Sequence, residues 1–190
     1  MNIKERAQNI LLQPAREWSV IEKEQETVTH LYASYVVPLA AIGPVASIIG
    51  LSIFGISLPI GGSYRLPLTS AGWHAVTTFV LALVGTYVLS LIIDALAPKF
   101  LARKNSLQAL KIAAYSSTPA WLAGGLNLIP SLALLQILGL YGVYLLYLGL
   151  PVLMKAPQDK AWVYTGVVIV AAIVIFALIG AIGSCFLQRP

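Results

Sequence analysis

The sequence predicts an all-α, polytopic membrane protein with five transmembrane helices and an N-terminal amphipathic segment. Three observations lead there. Of the 190 residues, 58% are hydrophobic and only 10% are charged, whereas a soluble domain carries about 25% charged residues. Mean hydropathy is +0.84, so the chain cannot cover its apolar residues with a polar surface. The apolar residues also come in long runs rather than the alternation of a β-barrel. Together these exclude a disordered chain, a disulfide scaffold and an ordinary cytosolic enzyme.

Residues 1–30 read as one unit and residues 31–190 as another, a cytoplasmic amphipathic segment followed by a five-helix membrane domain. In the first unit Ile3, Ala7, Ile10 and Leu11 share one helical face, and Lys4, Glu5, Arg6, Gln8 and Asn9 take the other positions. Pro14 interrupts and restarts the helix. Trp18 and Ile21 then lie on the apolar side of a second short stretch. Such helices either lie on the cytoplasmic face of the membrane or cap the protein's own helices. The five acidic residues between positions 5 and 26 read as solvated surface charge. With no apolar core among the first 26 residues, no cleavable signal peptide is expected.

A crossing helix needs about 20 mostly apolar residues. Five segments qualify: Leu31–Phe54, Trp73–Leu96, Leu107–Leu128, Leu132–Leu153 and Val163–Leu187. The third is the most polar, with Lys111, Ser116, Ser117, Thr118 and Pro119. A four-span alternative makes it a re-entrant or interfacial piece. The connections are short, and the first of them, with Pro59, Gly61, Gly62, Ser63 and Pro67, reads as a surface loop. No internal repeat supports an inverted-repeat transporter.

Charge sets the orientation. Net charge is +5, from 12 Lys and Arg against 7 Asp and Glu. An N-terminus inside places ten basic residues on the inner side and leaves Arg65 and Arg189 outside. Positive charge gathers on the cytoplasmic side, so the N-terminus is expected in the cytoplasm and the C-terminus across the membrane. The basic residues form no arm, and nucleic acid is not an expected partner. The expected partner is the lipid bilayer.

Polar residues inside the spans are the candidate site. Asp94 closes the second span and Lys111 opens the third across a short loop. Ionisable groups at membrane depth pair or line water. Either Asp94 and Lys111 pair, or each reaches separately to the inner surface. Pro119 cannot donate to the carbonyl of Tyr115, so a kink is expected there, with Ser116 and Ser117 as local partners. Tyr141, Tyr144 and Tyr147 recur every three residues of span four, and the polar turn of span three is expected to face them. Small residues at 177/181 and 180/184 of span five suit helix packing or a homo-oligomer contact. His30 and His74 fall at opposite ends and cannot share a metal. The single cysteine, Cys185, forms no intramolecular disulfide and reads as a small apolar helix residue. No G-x-S-x-G, H-E-x-x-H or Lys-bearing phosphate loop occurs, so neither an enzyme nor a cofactor is expected.

Several pieces together resemble the Yip family, the Ypt/Rab-interacting membrane proteins, in its bacterial inner-membrane branch. Pro14 to Trp18 is similar to the family's P-x-x-x-W start. Tyr115 to Pro119 is similar to the Y-x-x-x-P core of its third span. Tyr141 to Pro151 resembles the fourth span and its exit. The resemblance implies five spans. In eukaryotes it implies Rab-type GTPase partners, but their D-L-Y-G-P motif is not found here and the N-terminal segment is short, so no GTPase partner carries over. The bacterial branch implies no settled activity. The reading is a membrane-organising, binding or scaffold protein of the inner membrane. The rival is a small transporter or channel with a polar cavity between spans three and four.

Overall fold

The structure is a computed structural model that describes residues 2–57 and 63–187. Pro59, Gly61, Gly62 and Arg189, and the side chains of Gly180, Ala181, Ser184 and Cys185, lie outside the described residues. The fold is all-α and polytopic. Helices α1 (Ile3–Leu12) and α2 (Pro14–Lys23) precede the membrane domain. Four helices are long and apolar enough to cross a membrane: Val28–Phe54, Leu68–Phe100, Leu134–Leu153 and Gln158–Ala177. We label α3 as Val28–Phe54, α4 as Leu68–Leu96, α7 as Tyr141–Leu153 and α8 as Gln158–Leu187. A 3₁₀ stretch, Pro130–Leu140, leads into α7. The loop after α3 closes with a two-residue antiparallel pair, β1 (Ile56–Ser57) with β2 (Ser63–Tyr64).

The third predicted span differs from the rest. It is two helices, α5 (Ser106–Ser116) and α6 (Thr118–Gly124), with a 3₁₀ turn at Gly125–Leu128. Asn105 caps its start by accepting from the Gln108 N–H at 3.1 Å. The break at Ser117 comes just before Pro119, as a proline without an N–H requires. The Ser117 hydroxyl donates to the Ala113 carbonyl at 2.8 Å and adds to the bend. This segment is the axis of the bundle. Ala109 to Ser116, Thr118 and Pro119 are all buried, and α3, α4 and α7 surround it.

Close approach on two sides makes that enclosure. A Cβ on Gly50 of α3 would sit 1.9 Å from the Asn127 carbonyl oxygen, and one on Gly142 of α7 would sit 2.3 Å from the Ser116 carbonyl oxygen. Small residues let membrane helices pack at backbone distance. Helix α3 meets its own prolines with irregular turns: a π-helical stretch, Tyr32–Val36, precedes Pro38 and absorbs its missing donor.

Two exposed indoles stand at opposite ends of the long helices, as residues of a membrane interface would. Trp73 is 75% exposed on α4 and Trp162 is 69% exposed on α8. These helices run antiparallel: the Tyr164 hydroxyl donates to the Ile93 carbonyl, and Gly85 packs on Phe176. Counted from the Tyr164–Ile93 bond, Trp162 lies level with residue 95 of α4. The two indoles are then about 33 Å apart at 1.5 Å per residue, close to a hydrocarbon core of about 30 Å with its interfaces.

The Gly142 contact is a test of this packing. Gly142→Ala should lower thermal stability in detergent by the equivalent of about 1–3 kcal/mol, because the new methyl meets a backbone oxygen. Gly166→Ala is the control, since nothing lies within 4 Å of its added Cβ; it should melt at the parental temperature.

Candidate functional site

The site grows from the N-terminal helices. Their apolar faces are real: Ala7, Ile10, Trp18 and Ile21 are buried. They do not lie on the membrane surface but form an antiparallel hairpin against α3, α5 and α7, the second of the two readings that the sequence left open. Helix α2 runs alongside α7 in parallel register. The Tyr141 hydroxyl donates to the Leu11 carbonyl at 3.0 Å, Trp18 packs 3.0 Å from the Cβ position of Gly149, and Lys155 pairs with Glu22. The turn at Gln13–Pro14 therefore points into the bundle, and the ends of the hairpin return to the level of Lys155.

Two buried cations fasten the hairpin. Lys111 is fully buried, and its ammonium donates to the carbonyls of Ile21 at 2.9 Å and Glu24 at 2.6 Å. These carbonyls end α2, where helix C-termini leave acceptors unsatisfied and favour positive charge. Arg6 bridges from α1 to α2, pairing with Glu17 at 2.5 Å and with Glu24. Burial lowers the Arg6 pKa, but the hydrogen bond to Glu24 and the negative charges of Glu24 and Glu17 outweigh it, and the guanidinium is held charged above its ordinary value. Its Cζ lies 5.7 Å from the Tyr115 ring centroid, within cation–π range. Tyr115 in turn packs on Tyr35 with ring centroids 4.6 Å apart and the rings tilted by 57°, and meets Trp18 edge-on at 6.2 Å. Tyr35 shares a 2.8 Å hydrogen bond with Thr118. Below the hairpin end lies a half-open polar cavity of about 340 Å³ between Arg6, Glu24, Glu26, His30, Tyr35 and Tyr115. His30 and Glu26 pair at its edge at 3.3 Å.

The structure brings Lys111, Tyr115 and Thr118 together on the hairpin-facing side of the central segment, as positions spaced four and three apart on a helix should be. Pro119 sits at the break beyond them. One open alternative is decided and two expectations are corrected. Asp94 and Lys111 do not pair: Asp94 is half-buried, and its Oδ1 has no partner among the described residues. The two charges project from helix faces turned apart, Lys111 toward α2 and the Asp94 turn toward α8. The polar turn of the central segment does not face the tyrosine row. It meets Gly139 and Gly142 instead, while Tyr141, Tyr144 and Tyr147 are 36–47% exposed on the outer face of α7. Backbone contact needs the small side of that helix, so the large side must turn out. Ser116 is buried there with no partner for its hydroxyl among the described residues. Finally, Glu17 is not solvated charge; its side chain is 5% exposed. Arg6, Glu17, Glu24 and Tyr35 are thus site residues that the sequence reading missed. A signal was present: Glu17 adjoins Trp18, and Arg6 adjoins Ala7, at the edges of the two apolar faces.

Chemically the cluster holds its charges in mutual neutralisation. Lys111→Met should destabilise the chain by about 1–3 kcal/mol for each carbonyl left without a donor, and should make the N-terminal segment sensitive to protease. Because Asp94 is not its partner, Asp94→Asn and Lys111→Met should combine additively in thermal melts. Mutual rescue in the double variant would contradict the geometry.

Comparison with known proteins agrees with this architecture. The Yip1 domain matches residues 9–179. Inner membrane protein YohC of Escherichia coli strain K12 is 30% identical over 151 residues, covering 77% of each chain. YohC of Escherichia coli O6:H1 matches to the same extent. No solved structure matches. With four long apolar helices and inner-membrane relatives, this is a multi-pass inner-membrane protein. The domain match takes in α2, the central segment and the tyrosine-bearing helix alike, and the chain belongs to the Yip1-domain family.

Proposed function

We propose that the chain is a non-enzymatic membrane-organising or binding scaffold, and that its working element is the N-terminal hairpin held as a fixed platform. The observation that carries this reading is the use made of buried charge. Among the described residues the charged side chains at or below 5% exposure, Lys111, Arg6 and Glu17, all serve the hairpin: Lys111 ties it to the central segment, and Arg6 ties its two helices together through Glu17. A transporter would instead line a path with such groups. The transport reading asked for a polar cavity between spans three and four. The space beside the polar turn, about 480 Å³ between Leu89, Ser116, Gly142, Leu146, Ile173 and Phe176, is lined mainly by apolar groups, which favours the scaffold.

In this reading the hairpin faces the cytoplasm and the C-terminus lies across the membrane. The central segment is then a fifth crossing. Residues 106–128 span about 34 Å at 1.5 Å per residue, enough for the hydrocarbon core. It does without a strongly apolar surface because other helices, not lipid, surround it.

Reporter fusions at the two ends should give opposite sides, with the N-terminus inside. The same side at both ends would exclude five crossings. Purified full-length protein in liposomes should pass no sodium, potassium, proton or chloride current above empty vesicles. A current that Lys111→Met or Arg6→Gln alters would favour transport instead.

A further inference from the structure

We propose that a groove beside α1 holds one acyl chain of an anionic phospholipid, with Lys4 on its phosphate. This rests on the proposed orientation of the hairpin and names the lipid that the platform takes. The groove has a volume of about 500 Å³ and lies between Ile3, Leu11 and Leu12 of α1, Leu39 of α3 and Leu122 of α6. Only Lys4, Gln8 and backbone atoms bring polarity to it. Leu12 is 70% exposed at its deep end. A leucine and a groove so placed would be a liability in water. Here they open sideways onto the membrane, because their floor residues Leu39 and Leu122 belong to helices of the membrane domain.

Length and charge select the occupant. Helix α1 has ten residues, about 15 Å at 1.5 Å per residue. That is half of a hydrocarbon core of about 30 Å, the depth of one leaflet. One end of the groove is marked by Ile3, which also lines the polar cavity with Glu24, Glu26 and His30 at the inner end of α3. The other end lies at Leu12 and Leu122, toward the middle of the membrane. An acyl chain of the inner leaflet fits this span with its headgroup at the level of Lys4. Lys4 is exposed, and its ammonium has neither a hydrogen bond nor an ion pair among the described residues. It is therefore free for a phosphate. The basic residues of the connections on the same side of the membrane, Lys99, Arg103, Lys104 and Lys160, favour an anionic over a zwitterionic leaflet there.

Native mass spectrometry of the full-length protein, delipidated and titrated in mild detergent, tests this. The probes are phosphatidylglycerol, phosphatidylcholine of the same chains, and inorganic phosphate. One phosphatidylglycerol should be retained per chain, about fivefold more tightly than phosphatidylcholine. Lys4→Glu should remove that preference. Leu122→Trp, which fills the deep end from a partly exposed position, should weaken both lipids several-fold. Lys4→Ser checks that loss follows charge and not the new carboxylate. Equal retention of the two phospholipids, retention unaltered by Leu122→Trp, or saturable binding of inorganic phosphate alone would overturn the site. Protease protection of the N-terminal segment is read in parallel. Lost lipid preference with an intact, protected hairpin removes the lipid site only; an exposed hairpin in the parent protein removes the platform reading as well.

Discussion

A helix that carries a lysine, four hydroxyls and a proline within nine residues cannot face lipid. Each unsatisfied polar group in hydrocarbon costs several kcal/mol, and a lysine at the centre of a crossing helix adds about 2.5–3.5 kcal/mol on insertion scales. The chain meets this constraint by placing residues 106–128 on the axis of the bundle. The rest of the architecture follows from it. Helices α3 and α7 must come to backbone distance, so glycine stands at positions 50 and 142 where they touch the segment. Large side chains of α7 must then turn outward, which puts the tyrosines on the outer surface of the bundle.

The same constraint explains the hairpin. Lys111 lies about one and a half turns into α5 and is fully buried, so its ammonium cannot be left bare. Instead of a carboxylate partner from a neighbouring span, it finds the carbonyls that end α2. A helix terminus brings several oriented acceptors and a favourable dipole, and it leaves no second charge to bury. Arg6 completes the arrangement by joining the two hairpin helices through Glu17 and Glu24. Removing one member of such a group leaves the others buried and unpaired, which is why buried pairs are costly to break even when their net contribution is small. The N-terminal segment is thus as much part of the membrane domain as the spans are.

The most deeply buried charges, Lys111, Arg6 and Glu17, are committed to holding the N-terminal helices in place. The spaces that remain near the bundle are of two kinds. The polar one lies at the inner end of α3 under the hairpin, and the apolar ones open sideways.

The sequence by itself determined the class of fold, the positions of the long helices and the break at the third span. These are local matters: run length, hydropathy and a proline without a donor act through the nearest few residues. It also showed the apolar faces of α1 and α2 and the family resemblance in Pro14–Trp18 and Tyr115–Pro119. What only the tertiary structure decided is which way each face turns. Asp94 and Lys111 are close along the chain, yet their helices rotate them apart. The spacing of Tyr141, Tyr144 and Tyr147 makes a stripe on α7, but a stripe has no direction until a neighbour claims the opposite side, and here Gly142 against Ser116 claimed it. Glu17 looked like surface charge because its partner, Arg6, is eleven residues away across a turn. Periodicity along one helix fixes relative positions on that helix alone; the rotation of each helix about its axis is set by the closest contact it makes with another.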